Sequence, residues 1–277
     1  MKRVLTKLVP EAVKRHVRRR RTEKRKRELF GDLAPMVPDV DRMFDGPPTL
    51  EEFRKNGDEF IRIYKEVCGL RPDEKMLDVG SGIGRKTLPL LGYLDARGSY
   101  TGIEITKAGV DWCRERISAR HPNFRFEHID VYNKHYNPGG RCQPSEYRFP
   151  FDDGAFTFVM LGSVFTHMLP PDLENYLSEI CRVTAKGGRC LITYFLLNGE
   201  SLPLVLAGKS SQDLKYVGPG YRTISTVYPE LSIGFPEEWV RGLYAKFGMT
   251  VERLDYGSWC GREKFTSYQD LVLARKS

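Results

Sequence analysis

The residues best placed to do chemistry in this 277-residue chain stand in one run, Asp78-Val79-Gly80-Ser81-Gly82-Ile83-Gly84-Arg85. Three alternating glycines let backbone approach a ligand with no Cβ in the way. The spacing is G-x-G-x-G, and Arg85 stands where a dinucleotide fingerprint needs its third glycine. Asp78, beside the turn, repels a pyrophosphate and favours a ligand that carries an ammonium and a sulfonium. Further on, Glu104 lies twenty-four residues after Gly80, where an acid can accept both hydroxyls of a ribose. Asp130 next to Val131 suits an exocyclic amine and the face of adenine, and Leu161-Gly162 closes the pocket floor.

The elements that must position these residues follow from periodicity. Met76, Leu77 and Val79 form a short apolar run typical of a parallel strand buried on both faces. A helix opening at Thr49, with Glu52 completing a capping box, leads into it, and another is expected from the glycines to about Leu94. Strands are expected at 99–105, 124–129, 156–161 and 190–197, separated by helices at 107–120 and 171–183, with a Lys186-Gly187-Gly188 turn before the fifth strand. After a helix at 237–247, the strands 250–256 and 268–274 have no helix between them, which predicts an antiparallel hairpin. Strands alternating with helices predict an α/β fold, a parallel sheet with helices on both faces.

These motifs together resemble the class I S-adenosylmethionine-dependent methyltransferases. Residues 76–84 resemble that family's first motif, Gly102-Ile103-Glu104 its second-strand acid, and Asp130-Val131 its adenine-contacting pair. Glu179–Val183 through Lys186–Ile192 resemble its helix, double-glycine turn and fifth strand. The resemblance covers roughly residues 50–275. It implies a Rossmann-like seven-stranded sheet of order 3-2-1-4-5-7-6, with strand 7 antiparallel, and S-adenosylmethionine as methyl donor. The cofactor-binding set expected from the motifs and the resemblance is Asp78, Gly80, Ser81, Gly82, Gly84, Glu104, Ile105, Asp130, Val131, Leu161 and Gly162.

For the acceptor, methyl transfer to a hydroxyl needs a group that removes its proton. His167, just beyond the fourth strand, is the candidate base; its other readings are a cap for the next helix or a lining residue. No Asp/Asn-Pro-Pro-Tyr/Phe follows that strand, which argues against methylation of a DNA base or a glutamine. No metal site is expected. Two long stretches, 131–154 and 198–234, are expected as irregular lids that set specificity. Tyr132, Tyr194, Tyr221 and Trp259 are the candidate substrate contacts, suited to stacking on a polar ring such as a sugar.

The net charge of +8 is unevenly spread. Residues 1–27 hold thirteen Lys or Arg against two Glu, while the remainder holds 31 basic and 34 acidic residues. Residues 1–48 are therefore expected as a basic amphipathic arm and a Pro/Gly-punctuated linker (31–48), and 49–277 as the methyltransferase domain. Val4, Leu5, Leu8, Val9, Ala12, Val13 and Val17 recur at helical spacing. Such an arm can lie on an anionic membrane surface, clamp RNA phosphates, or stay a solvated helix. The six cysteines show no metal or redox spacing, and no apolar run spans a membrane. The expectation is a cytoplasmic enzyme, peripheral on the inner face of the membrane, that O-methylates a sugar, glycolipid or other small molecule. An RNA methyltransferase and a non-catalytic binding protein of the same fold are the alternatives.

Overall fold

The computed structural model describes residues 11–277. The strands are β1 (Lys75–Val79), β2 (Ser99–Glu104), β3 (Phe124–His128), β4 (Phe156–Leu161), β5 (Thr184–Tyr194), β6 (Leu196–Leu197), β7 (Tyr216–Gly218), β8 (Tyr221–Thr223), β9 (Ile233–Pro236), β10 (Met249–Asp255) and β11 (Asp270–Lys276). The α-helices are α1 (Glu11–Phe30), α2 (Leu50–Arg62), α3 (Lys107–Cys113), α4 (Pro170–Val183), α5 (Ser201–Leu206) and α6 (Glu237–Lys246). Seven strands form one sheet in the order β10-β11-β5-β4-β1-β2-β3. β11 runs antiparallel to both neighbours and the other pairs are parallel, which is the expected 3-2-1-4-5-7-6 arrangement.

Alternation along each strand fills the two faces. Met76, Phe158, Met160, Leu191 and Leu273 pack on the side of α1, α2 and α3. Leu77, Val159, Cys190, Ile192 and Val272 pack on the side of α4 and α6. The capping box forms as expected, Thr49 Oγ1 accepting the Glu52 N–H at 3.1 Å, and α2 continues as a π-turn over Ile63–Val67.

Four local expectations are corrected. No helix follows the glycines: only a 3-10 turn, Leu88–Gly92, forms, because Pro89 has no N–H to give to the carbonyl of Arg85 and its ring would crowd that carbonyl in a helix. The Lys186-Gly187-Gly188 turn does not precede β5 but lies within it. There the register against β4 jumps from Phe156↔Thr184 to Phe158↔Arg189, and Gly187 takes a φ of 73°. The stretch 198–234 holds α5 and most of a second sheet, β6-β9-β8-β7. Its β7–β8 hairpin turns on Pro219-Gly220, Gly220 supplying a φ of 80°.

The fourth correction concerns 31–48, expected as a linker. Ala34, Met36, Val37 and Met43 are buried in the core, and Lys26 of α1 bonds Asp39 at 2.6 Å. Phe30 meets Phe53 of α2 edge-on, with ring centroids 6.0 Å apart. This segment and the second half of α1 are thus part of the body. Of the arm's apolar stripe, Val4, Leu5, Leu8 and Val9 lie outside the described residues, and Val17 is exposed.

A buried ion pair fastens the segment between α2 and β1 to the sheet. Arg189 of β5 bonds Glu74 bidentately at 2.6 and 2.8 Å and donates to the carbonyls of Cys68 and Gly69. Glu74→Gln leaves that guanidinium buried without its countercharge. It should lower unfolding free energy by about 3–5 kcal/mol, read as a shifted denaturant midpoint at unchanged m.

Candidate active site

A cavity of about 640 Å³ opens at the carboxyl ends of β1–β4. Carboxyl-end crevices of parallel sheets are where such folds bind ligands. Of the expected cofactor set, Gly80, Gly82, Glu104, Ile105, Val131 and Gly162 line it, as do Tyr132 and His167. Val79, Ile103 and Ile129 add apolar walls.

Every backbone N–H from Gly80 to Gly84 already has an acceptor. Gly80 and Ser81 N–H both donate to the Ile103 carbonyl, at 2.8 and 3.2 Å, and Gly84 N–H donates to the Ser81 carbonyl. Gly82 N–H donates to Glu104 Oε2 at 2.9 Å, and Ile83 N–H to Asp45 Oδ2 at 3.2 Å. The other Glu104 oxygen accepts the Thr106 N–H at 2.8 Å. Glycine turns that cradle phosphates do so with free N–H groups. Here carbonyls of the chain take three of those groups and the Glu104 and Asp45 carboxylates take the Gly82 and Ile83 N–H, so the loop presents negative charge. Burial pushes the Glu104 carboxyl above its ordinary pKa, opposed by these N–H bonds.

Asp78 sits beneath this loop, not on the cavity wall. Its Oδ2 accepts the Tyr100 O–H at 2.7 Å, while Oδ1 is buried without a hydrogen-bond partner. Burial raises its pKa, and the charge of Lys86 pulls the other way. Lys86 lines the cavity with its ammonium near the Gly162 carbonyl, at 3.4 Å. Three carboxylates therefore surround one turn: Asp45, Asp78 and Glu104.

Several expected residues stand elsewhere. Ser81 is buried under the loop and Gly84 packs on Cys113 and Ile117, so neither reaches the cavity. Leu161 belongs to the core. Asp130 turns outward to pair with Arg141, which the Gly139-Gly140 loop brings beside it and which depresses its pKa. Tyr194 is buried, its hydroxyl 3.0 Å from that of Tyr244. Tyr221 lies in β8 with its ring over Gly218. Trp259 is fully buried, donating Nε1–H to Asp270 at 2.8 Å. Asp270 also takes the N–H groups of Leu196 and Gly257 and a nitrogen of Arg262, so this cluster ties the second sheet down.

Other residues at the site lie outside the candidate set read from the sequence. Asp45 reaches the loop from the 31–48 segment and pairs with Arg85 at 3.2 Å; Arg85 is buried and stacked on Phe53 at 4.8 Å. Tyr136 is set by a turn in which Asn133 Oδ1 accepts the N–H groups of His135 and Tyr136, and its ring meets His167 edge-on at 6.0 Å. The far wall carries Thr166, Gln212, Ser232, Tyr268 and Gln269. Gln269 Oε1 accepts Ser163 Oγ–H and Thr193 Oγ1–H at 2.8 and 2.6 Å. Gln212 links Ser232 and Tyr268, and Thr166 Oγ1 is buried without a partner. Ser163, with a φ of 64°, is the one non-glycine among the described residues held at positive φ. Such strain persists where surrounding structure enforces it, here the Thr193 and Gln269 bonds.

His167 bonds the Glu230 carbonyl through Nδ1 at 2.9 Å. A carbonyl only accepts, so Nδ1 carries the proton and Nε2 is left as the basic nitrogen. Burial holds its pKa below the ordinary histidine value, with the Glu230 bond a partial offset.

Comparison with known proteins agrees with this geometry. Residues 77–192 match the family described as "Methyltransferase domain". An O-methyltransferase of Penicillium expansum is 27% identical over 151 residues, 54% of this chain and 48% of that protein. The chain spans about half or less of the length of the curated relatives it matches. Among solved structures, a Pyrococcus horikoshii OT3 protein superposes with a TM-score of 0.56 at 17% identity, covering 88% of this chain and 96% of that one. The magnesium protoporphyrin IX methyltransferase of Synechocystis PCC 6803, solved with bound S-adenosylhomocysteine, gives 0.53 at 14% identity, covering 86% and 92%. At these identities the superpositions establish the fold.

Proposed function

We propose, for a chain that carries a class I S-adenosylmethionine-dependent methyltransferase domain, that it transfers the methyl group to a hydroxyl of a sugar, glycolipid or other small molecule. The observation that carries the acceptor class is the far wall of the cavity. Thr166, Gln212, Ser232, Tyr268 and Gln269 bring uncharged amides and hydroxyls beside one imidazole whose Nε2 is the basic nitrogen, while Lys134, Asp172 and Glu230 also line the cavity. Amides and hydroxyls in fixed networks suit hydrogen bonding to a hydroxyl-rich acceptor.

The residues at the other end fit the cofactor. A turn ringed by Asp45, Asp78 and Glu104 favours a ligand with a sulfonium and an ammonium over a pyrophosphate. Glu104 on the cavity wall supports a role with the ribose hydroxyls, and Val79, Ile103, Ile129 and Val131 support one with the face of the adenine. When bound, S-adenosylmethionine supplies an electrophilic methyl group on sulfur. The chain's part is to align the acceptor oxygen and to take its proton on His167 Nε2. The Glu230 carbonyl fixes the tautomer that makes this nitrogen the base.

The exposed Arg18–Arg21 run of α1 supports placement of the enzyme at an anionic membrane surface, where glycolipid acceptors are presented. The test is transfer of labelled methyl from S-adenosylmethionine to fractionated lipids, glycans and RNA. Label in O-methyl sugars supports the proposal, and label confined to RNA or to amines overturns it.

A further inference from the structure

We propose that the groove between α1 and the Trp112–Arg116 turn binds a doubly charged phosphoryl group, a phosphomonoester or a diphosphate. The groove has a volume of about 730 Å³ and shares no lining residue with the active-site cavity. Arg19 and Arg27 of α1, Arg42 of the 31–48 segment, and Trp112 and Arg116 line it. The guanidiniums of Arg42 and Arg116 lie over the Trp112 ring, at 5.3 and 5.1 Å from its centre. Trp112 is 7% exposed, and its Nε1–H has no acceptor; the buried Nε–H of Arg116 has none either.

Buried donors without acceptors are rare and costly in folded proteins, and two on side chains that line one basic groove point to a missing acceptor. The charge balance says which kind. Lys26 takes up Glu23 and Asp39, at 3.5 and 2.6 Å, leaving the exposed Asp32 as the remaining lining acid. Arg116 pairs with the exposed Glu115 at 3.1 Å, whereas Arg19, Arg27 and Arg42 have no ion pair among the described residues. Guanidiniums match phosphate oxygens in planar pairs, and a dianion can engage several of them together with the indole N–H. The site stands independently of the acceptor proposed above, and its ligand could be a lipid headgroup or a soluble phosphate ester.

The test is calorimetric titration of the full chain with inorganic pyrophosphate at fixed ionic strength. Trp112→Phe keeps the ring and removes the N–H, and Arg42→Gln removes one charge. S-adenosylmethionine affinity, read on the same samples, checks that each variant is folded. The expected result is saturable binding of one pyrophosphate, weakened about tenfold or more in each variant with cofactor affinity unchanged. No saturable binding, or equal binding in wild type and both variants, overturns the proposal. Flotation with vesicles containing phosphatidic acid separates the sources. Flotation weakened by Trp112→Phe assigns a headgroup, and flotation unaffected by it, alongside Trp112-dependent pyrophosphate binding, assigns a soluble phosphate.

Discussion

His167→Ala should lower kcat about 10²–10⁴-fold while leaving S-adenosylmethionine affinity within about twofold of wild type. The range is that of a positioned general base, and the variant removes the one imidazole on the cavity wall. The cofactor end is spared because the loop is held by Glu104, Asp45 and Ile103, none of which bonds His167. The pH profile gives a second readout. Because burial depresses this pKa, the ring stays neutral and basic through the ordinary histidine value of 6.5, and protonation removes the base only below it. The acid limb of kcat should therefore fall below 6.5 and disappear from the residual activity of His167→Ala. A structural role in capping α4 would instead lower thermal stability and leave the acid limb in place.

Gly82→Ala should weaken cofactor binding by about 2–4 kcal/mol, some 30- to 1000-fold, with a folded chain. Gly82 has a φ of 59°, a region that costs an alanine about 1–2 kcal/mol. A Cβ there would stand 2.3 Å from Asp45 Oδ2, so the Asp45 carboxylate must leave. It would give up the Ile83 N–H and its pair with Arg85, and with them the hold of the 31–48 segment on the loop. Calorimetry on the variant, with circular dichroism to confirm folding, reads the effect. Gly92, whose Cβ would meet nothing within 4 Å, serves as control: Gly92→Ala should bind normally.

The strands were legible because each carries its own apolar run, their order through the family resemblance, and the final hairpin because no helix fits between its strands. Glu104 and the cavity-facing glycines were legible because the chemistry lies next to a recognisable turn. Asp45 was not. It acts on Ile83, thirty-eight residues away, and Asp-Gly-Pro-Pro reads locally as a turn. The far wall was hidden for the same reason, since Gln212 precedes β7 and Tyr268 and Gln269 precede β11, and only the fold brings them to the cavity that His167 lines. Residue type also misleads where two roles use the same side chain. Trp259 and Tyr194 have the rings that a sugar site needs, but Asp270 and Tyr244 take their polar atoms into the core. Asp130 shows the reverse case: it stands where an adenine contact is expected, and a neighbouring arginine neutralises it.

The central claim is that the glycine turn, with its N–H groups already taken by the chain's carbonyls and by the Glu104 and Asp45 carboxylates, is a site for a cationic nucleoside. Calorimetric titration of wild type and Glu104→Gln with S-adenosylmethionine and with NAD tests it most directly. The account predicts one S-adenosylmethionine per chain, about tenfold or more weaker in Glu104→Gln, and no binding of NAD. Equal S-adenosylmethionine affinity in the two proteins, or tighter binding of NAD, would contradict it.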